Sequence, residues 1–156
     1  MIYSSLALAN TFIIRHGRTN DINHMRLQKL TYFAYGWWLA KHGRQLISES
    51  PSMWRYGPVF EKLYTALSPY GHNPLRSPVG IMFSDPMAVP DDNTEVLTFI
   101  DGIFDFYRDC DEKSLSSLAS RIGSPWRDEA EAHKFRVPPG SKIPDWRIRK
   151  YFERQL

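Results

Sequence analysis

The sequence is poor in cysteine: Cys110 is the only one, so no internal disulfide can form. A lone thiol is typical of proteins from a reducing compartment. No apolar run approaches the ~20 residues that a membrane-spanning helix needs. The N-terminal segment also lacks the basic region and the long apolar core of a signal peptide. Together these absences predict a cytoplasmic protein with no membrane partner.

Residue patterns of known catalytic and metal sites are also scarce. The five histidines include no pair spaced three or four residues apart, and Cys110 has no second cysteine to join it as a metal ligand. Phosphate-binding loops, nucleophile elbows and dinucleotide-binding glycine motifs are missing as well. We therefore expect no catalytic residues, no metal site and no cofactor, and we predict that the protein is not an enzyme.

One short string favours a different interpretation. Arg15-His16-Gly17 looks like the signature of the histidine phosphatases, in which a nucleophilic histidine lies in a cationic pocket. In those enzymes the signature follows a β-strand, whereas residues 6–14 have the apolar spacing of a helix. Arg15 and His16 would then lie at a helix C-terminus, where positive charge is favourable. A histidine-phosphatase-like enzyme is kept as an alternative function.

The distribution of charge supplies a second alternative. Lysine and arginine number 20 against 17 acidic residues, and the resulting net charge of +3 is too small to indicate a nucleic-acid binder. The last predicted helix nevertheless places basic residues beside Tyr151 and Phe152, an arrangement that can contact phosphates. An amphipathic surface helix is the favoured explanation, and a nucleic-acid-binding regulator is the alternative. The basic residues concerned are Arg147, Arg149, Lys150 and Arg154.

Aromatic side chains are abundant, at 14% of the 156 residues, and many lie between positions 32 and 64. Several belong to a segment with helical spacing from His24 to His42, which Asn23 begins as an N-cap and Gly43 ends as a left-handed cap. This helix is apolar around most of its circumference, as helices buried on several sides are. We predict a single, mainly α domain over residues 1–156, built round this central helix.

The remaining segments predict further helices and one extended region. Residues 46–56 are predicted to form a small β-hairpin or loops, and Pro58 is placed in the first turn of the following helix. Four prolines within residues 71–90 predict a long irregular connection. Helices are also expected near 4–16, 91–107, 115–122, 125–133 and 144–156. In the last of these, the residues expected to face the core are Trp146, Ile148, Tyr151 and Phe152.

Three motifs in this aromatic-rich chain resemble those of a known family. They are a Leu-x-Lys-Leu-x-Tyr helix at residues 27–32, a Trp-x-Tyr-Gly-Pro-Val turn at residues 54–59 and a later Pro-Trp pair. In this order, over about residues 6–156, the chain resembles the Panacea domain, the SocA-like antitoxin family. One departure is Ser120-Arg121, where relatives often carry Thr-His. The motif positions, which we expect to be structural, are Leu27, Leu30, Tyr32, Gly57, Pro58, Val59, Pro125 and Trp126.

The resemblance implies a function as well as a helical fold. Members of this family are often found beside toxin genes and in phage-associated elements, and they neutralise toxins of unrelated kinds. The implied partner is therefore a cognate protein toxin, encoded by an adjacent gene and neutralised by direct contact. Some relatives have been thought to deliver a toxin to a protease, so a protease contact is also implied. The resemblance implies no enzymatic activity.

We predict that the partner binds near the second motif. Trp54 and Tyr56 alternate along a short strand, so one can pack on the core while the other faces a partner. Lys29 lies in an apolar helix and must either extend its charge to water or pair with a carboxylate such as Glu61. The predicted partner-binding residues are Lys29, Trp54, Arg55 and Tyr56, with the 74–90 loop beside them.

Overall fold

A computed structural model describes residues 2–156 of the chain. These residues form seven α-helices, one short 3-10 helix (Ser68–Tyr70) and one antiparallel pair of strands. The strands are β1 (Ser52–Trp54) and β2 (Gly57–Val59). The helices are α1 (Ser5–His16), α2 (His24–His42), α3 (Glu61–Leu67), α4 (Thr94–Phe106), α5 (Glu112–Ser120), α6 (Pro125–Ala132) and α7 (Asp145–Glu153). The predicted mainly α fold with a small hairpin is confirmed, and the hairpin lies at residues 52–59, later in the chain than the predicted 46–56.

Helix α2 begins and ends at the residues that the sequence predicts. The side chain of Asn23 accepts a hydrogen bond from the N–H of Arg26, and Gly43 closes the helix with a left-handed φ of 70°. Helices α1, α3, α4, α5 and α7 and strand β2 all pack against α2. This surrounds α2 and makes it the central helix of the fold.

Helix α7 packs along α2 through one close approach. The ring of Phe152 is buried and meets the rings of Phe33 and Trp37 edge-on. Gly36 lies directly beneath it, and a β-carbon at that position would overlap the Phe152 ring. The missing side chain at Gly36 is therefore what lets α7 seat this aromatic ring against α2.

Two local predictions are wrong. Pro58 lies in β2, and the following helix begins three residues later, at Glu61. Pro58 lies opposite Met53 in the ladder. The N–H of Met53 donates to the carbonyl of Ser141 and not to Pro58, so Met53 and Pro58 form a pair that needs no N–H from the proline. Trp146 is 59% exposed and does not face the core, whereas Ile148 and Phe152 on the same helix are buried.

Two kinds of feature are absent from the described residues. Among residues 2–156, no helix combines the length and the apolar character that crossing a bilayer requires. Over that same range, histidine, cysteine and acidic side chains do not gather in groups of three or more that could hold a metal ion.

Candidate partner-binding site

The β1–β2 hairpin displays the second motif at its turn. Trp54 and Gly57 form the last pair of the ladder, and Arg55 and Tyr56 make the two-residue turn between them. Gly57 has a φ of 136°, in a region where a side chain would be strained. A β-carbon there would also lie 3.1 Å from Nζ of Lys29. The turn therefore requires glycine for its backbone and for its contact with α2.

Two adjacent buried side chains of α2 hold the second strand of this hairpin. Gln28 is fully buried and pairs with the backbone of Phe60, donating to its carbonyl at 3.0 Å and accepting from its N–H at 3.0 Å. Lys29 donates from Nζ to the carbonyl of Pro58 at 2.9 Å. All three bonds are made to main-chain atoms. They fix the position of β2 against the central helix.

The structure corrects the expectation that Lys29 is an exposed contact residue. Its side chain is only 1% exposed, because β2 covers it. Glu61 does not pair with it; the carboxylate of Glu61 accepts bonds from Lys142 at 3.2 Å and from Ser52 at 2.7 Å. Burial lowers the pKa of Lys29 to about 8, and the nearby carboxylate of Glu112 opposes this shift. Lys29 is therefore part of the hairpin's attachment and not of its surface.

The depressed pKa of Lys29 predicts a specific dependence of stability on pH. That pKa is about 8 in the folded protein, against about 10.4 in an unfolded chain, so between these values the unfolded state binds more protons. The free energy of unfolding therefore rises with pH in this window. From about pH 8 to about pH 9.5 the wild type should gain between about 1 and 2 kcal/mol more than Lys29→Met. Urea denaturation at each pH measures the difference.

The matched control for this measurement is Lys142→Met, which removes a half-exposed lysine that donates to Ser52 of β1. It should keep the wild-type slope of stability against pH. If Lys29→Met also keeps that slope, the ammonium of Lys29 is not buried in the manner described.

The third motif holds the other strand. Ser124 caps α6 by accepting from the N–H of Arg127, and Pro125 occupies the first turn, where a proline costs no hydrogen bond. The next residue, Trp126, is buried and donates from its indole N–H to the carbonyl of Trp54 at 2.9 Å. The Pro-Trp pair therefore attaches β1, as the first motif attaches β2.

With both strands held, the turn side chains are left at the surface. Trp54 is half-buried and packs on Tyr64, with ring centroids 4.7 Å apart. Arg55 is exposed, Tyr56 is 75% exposed, and the guanidinium of Arg55 lies 5.3 Å from the centre of the Tyr56 ring. Three of the four predicted contact residues thus lie together at one tip, and two of them are exposed.

The geometry of Arg15 and His16 does not support the phosphatase alternative. Both residues lie in the last turn of α1, as the helical spacing predicts, and not after a strand. Asp101 of α4 binds both: its carboxylate accepts from Arg15 at 2.6 Å and 2.8 Å and lies 2.8 Å from Nε2 of His16. An anion already occupies the place that a phosphate would need, and its charge repels a second one.

The basic residues of α7 are partly neutralised within the fold. Arg147 pairs with Glu129 at 2.7 Å, and Arg149 lies 3.3 Å from Glu153. Two of the four arginines and lysines that the nucleic-acid alternative requires are therefore bound to carboxylates. This arrangement matches the amphipathic surface helix that the sequence favours.

Sequence reasoning missed two sets of anchoring residues. Gln28 lies inside the first motif, and Asn10 and Thr11 lie in the middle of the apolar α1; all three are buried. Their signal in the sequence is a polar side chain on the apolar face of a helix. Such a residue needs a hydrogen-bond partner from elsewhere in the fold.

The fold and the site together define a helical protein that displays a tethered hairpin turn. The family model described as "Antitoxin SocA-like, Panacea domain" matches residues 27–127, a range that contains all three motifs. The chain belongs to this antitoxin family. The predicted family assignment is therefore confirmed.

A curated relative agrees with this assignment. "Antitoxin SocA" of Caulobacter vibrioides (strain NA1000 / CB15N) is 40% identical over 50 residues, which cover 32% of this chain and 27% of that protein. The aligned part is thus about a quarter of the relative's length. No solved structure matches the chain.

Proposed function

We propose that this protein is the antitoxin of a toxin–antitoxin pair and that it neutralises a cognate protein toxin by direct contact at the hairpin turn. The observation that carries the proposal is the triple attachment of an exposed Arg-Tyr turn within an antitoxin-family fold. Lys29 and Trp126 bind the backbone of the two strands, and Gln28 binds the backbone of Phe60, the residue that follows β2. Arg55 and Tyr56 are left free.

The chemistry of the turn suits protein recognition. Tyrosine, tryptophan and arginine dominate the binding energy of protein interfaces, and the turn presents one of each within three residues. Because the hairpin is attached at both strands, these side chains lose little backbone freedom on binding, which favours affinity. Trp54 would form the packed base of the contact, with Arg55 and Tyr56 at its centre.

The test is coexpression with the protein encoded by the adjacent gene. We expect that protein to stop growth when expressed alone and to be tolerated when this chain is expressed with it. The two proteins should also copurify as a stable complex. An adjacent product that is harmless and does not bind contradicts the proposal.

Variants of the turn test where the toxin binds. Arg55→Ser combined with Tyr56→Ser should raise the Kd for the toxin by about 30-fold or more, as expected for loss of central interface residues. Tyr70→Ser removes another exposed tyrosine, outside the hairpin, and is the matched control. If both variants bind alike, the toxin contacts a different surface.

The same cultures distinguish two modes of neutralisation. If the antitoxin acts by blocking, the toxin should accumulate in the complex. If it acts as an adaptor to a protease, the toxin should become short-lived when this chain is present and stable when the protease is absent. We propose blocking by contact as the basic mode, with a protease contact as an addition to it.

A further inference from the structure

The connection between the 3-10 helix and α4 carries an unusual apolar tip. Phe83 is 102% exposed and Met82 is 88% exposed, and Ile81 and Met87 beside them are 56% and 62% exposed. Four large apolar side chains on one short loop are thus each more than half exposed to water. Exposed apolar patches of this kind mark interaction sites.

The base of this loop is held on α1 by buried polar side chains. Asn10 donates to the carbonyls of Val79 and Met87, at 2.9 Å and 2.8 Å, and accepts from the N–H of Val79 at 2.8 Å. Thr11 accepts from the N–H of Val89 at 2.9 Å. Both side chains are buried, so these bonds are shielded from water. The two ends of the loop are therefore fixed next to each other.

The tip itself is a compact turn. The N–H of Ser84 donates to the carbonyl of Ile81 at 3.1 Å, and Met82 adopts a positive φ of 56°. A β-carbon at Gly80 would lie 2.5 Å from the carbonyl oxygen of Ser84, so only glycine permits this close return of the chain. The loop thus presents its apolar side chains on a folded support.

We infer that this tip, which we call the 80–87 loop, is a second contact element that inserts Phe83 into an apolar pocket of the cognate toxin. The inference rests on the proposed function. The charge near the loop describes the pocket further. Asp85, Asp91 and Asp92 are exposed, and residues 77–93 contain no lysine or arginine. Arg15, which lies beside Pro86 and Asp91, is paired with Asp101. The pocket that fits is therefore apolar at its centre and basic at its rim.

The same charges argue against a membrane as the partner. Loops and helices that enter anionic bilayers combine apolar side chains with lysine and arginine, which the headgroups attract. The 80–87 loop has the apolar part but carries Asp85 in place of the basic part, and Asp91 and Asp92 follow it in the chain. A protein surface with complementary charge is the occupant that this chemistry favours.

The test compares Phe83→Ser with Ile122→Ser, which removes an exposed apolar side chain elsewhere on the surface. The probe is the purified protein encoded by the adjacent gene. Phe83→Ser should raise the Kd by about 30-fold or more, while Ile122→Ser should change it less than about twofold. Both variants should match the wild type in circular dichroism and thermal unfolding, because Phe83 is not part of the core. Asp85→Asn should lower the association rate, with the largest effect at low salt.

Five outcomes decide the matter. The expected shift for Phe83→Ser alone supports the inference. A wild type that binds and neutralises the toxin, with Phe83→Ser equal to it, overturns the inference and leaves the proposed function intact. Sedimentation could instead show that the wild type self-associates and that Phe83→Ser does not. The occupant would then be a second copy of this chain, and the inference would be overturned. The inference would also be overturned if the wild type binds vesicles of three parts phosphatidylcholine and one part phosphatidylglycerol and Phe83→Ser does not. If the wild type neither binds nor neutralises, the proposed function itself fails.

Discussion

Gln28→Glu is expected to lower the free energy of unfolding by about 3–5 kcal/mol at neutral pH. The substitution replaces the amide that donates to the Phe60 carbonyl with a carboxylate oxygen, in a position that is fully buried. Two oxygens then face each other at hydrogen-bond distance, and a negative charge is buried with only the N–H of Phe60 still donating to it. Urea denaturation followed by tryptophan fluorescence measures the loss.

Acid should partly rescue this variant, because a protonated carboxyl can donate to the carbonyl again. Burial raises the pKa of such a group, so the deficit relative to the wild type should shrink as the pH falls. Gln28→Leu is the control: it removes both bonds without adding a charge. Gln28→Leu should lose less free energy of unfolding, about 2 kcal/mol, and this loss should be independent of pH. Equal and pH-independent deficits in the two variants would contradict the pairing of Gln28 with Phe60.

Gly36→Ala should have the second large effect, a loss of about 3 kcal/mol or more in the free energy of unfolding. The added methyl group overlaps the ring of Phe152. That ring is packed among Tyr32, Phe33 and Trp37 and has little room to turn. Helix α7 must therefore move away from α2, which loosens the packing of these aromatic rings. Thermal unfolding would show the change as a lowered Tm.

Gly102→Ala is the matched control, since Gly102 also lies inside a helix. A β-carbon at Gly102 meets no atom within 4 Å, and the position is exposed. Alanine is the better helix former there and should raise stability by up to about 1 kcal/mol. Phe152→Leu should relieve part of the clash with an alanine at position 36. The double variant Gly36→Ala, Phe152→Leu should therefore lose less unfolding free energy than the sum of the two single losses. Gly36 and Gly102 variants of equal stability would contradict the described packing of α7.

The elements that the sequence predicts well are those with local signals. Helix α2 has an N-cap at Asn23, a left-handed glycine at Gly43 and nineteen residues of apolar spacing between them, and its bounds agree with the structure. The start of α6 at Pro125, after the Ser124 cap, is equally local. Each signal needs only its neighbours in the chain, so no knowledge of the tertiary fold is required.

Pro58 was placed wrongly because its environment is set at long range. A proline suits the first turn of a helix and also a strand position that needs no N–H, and the local sequence allows both. The choice depends on the carbonyl of Ser141, which accepts the N–H of the residue opposite Pro58. That contact joins segments more than 80 residues apart, and no local pattern reports it.

The candidate site was predictable in part for the same reason. The sequence predicts that one of Trp54 and Tyr56 faces outward, and Tyr56 does so, although it lies in the turn and not in a strand. The burial of Lys29 depends instead on β2 lying across α2. The pairing of Glu61 with Lys142 likewise joins distant segments. Asn10 could have been flagged as a polar residue on an apolar helix face, but its partners Val79 and Met87, at the two ends of the 80–87 loop, could not have been named.

The attachment of the hairpin has a consequence for how this protein can change. Gln28 and Trp126 bind only peptide groups, and every amino acid except proline presents the same peptide group. The hydrogen bonds that hold the hairpin therefore do not depend on which side chains occupy positions 55 and 56. Natural or engineered mutation can therefore replace both residues while the hairpin keeps its attachment to the helices.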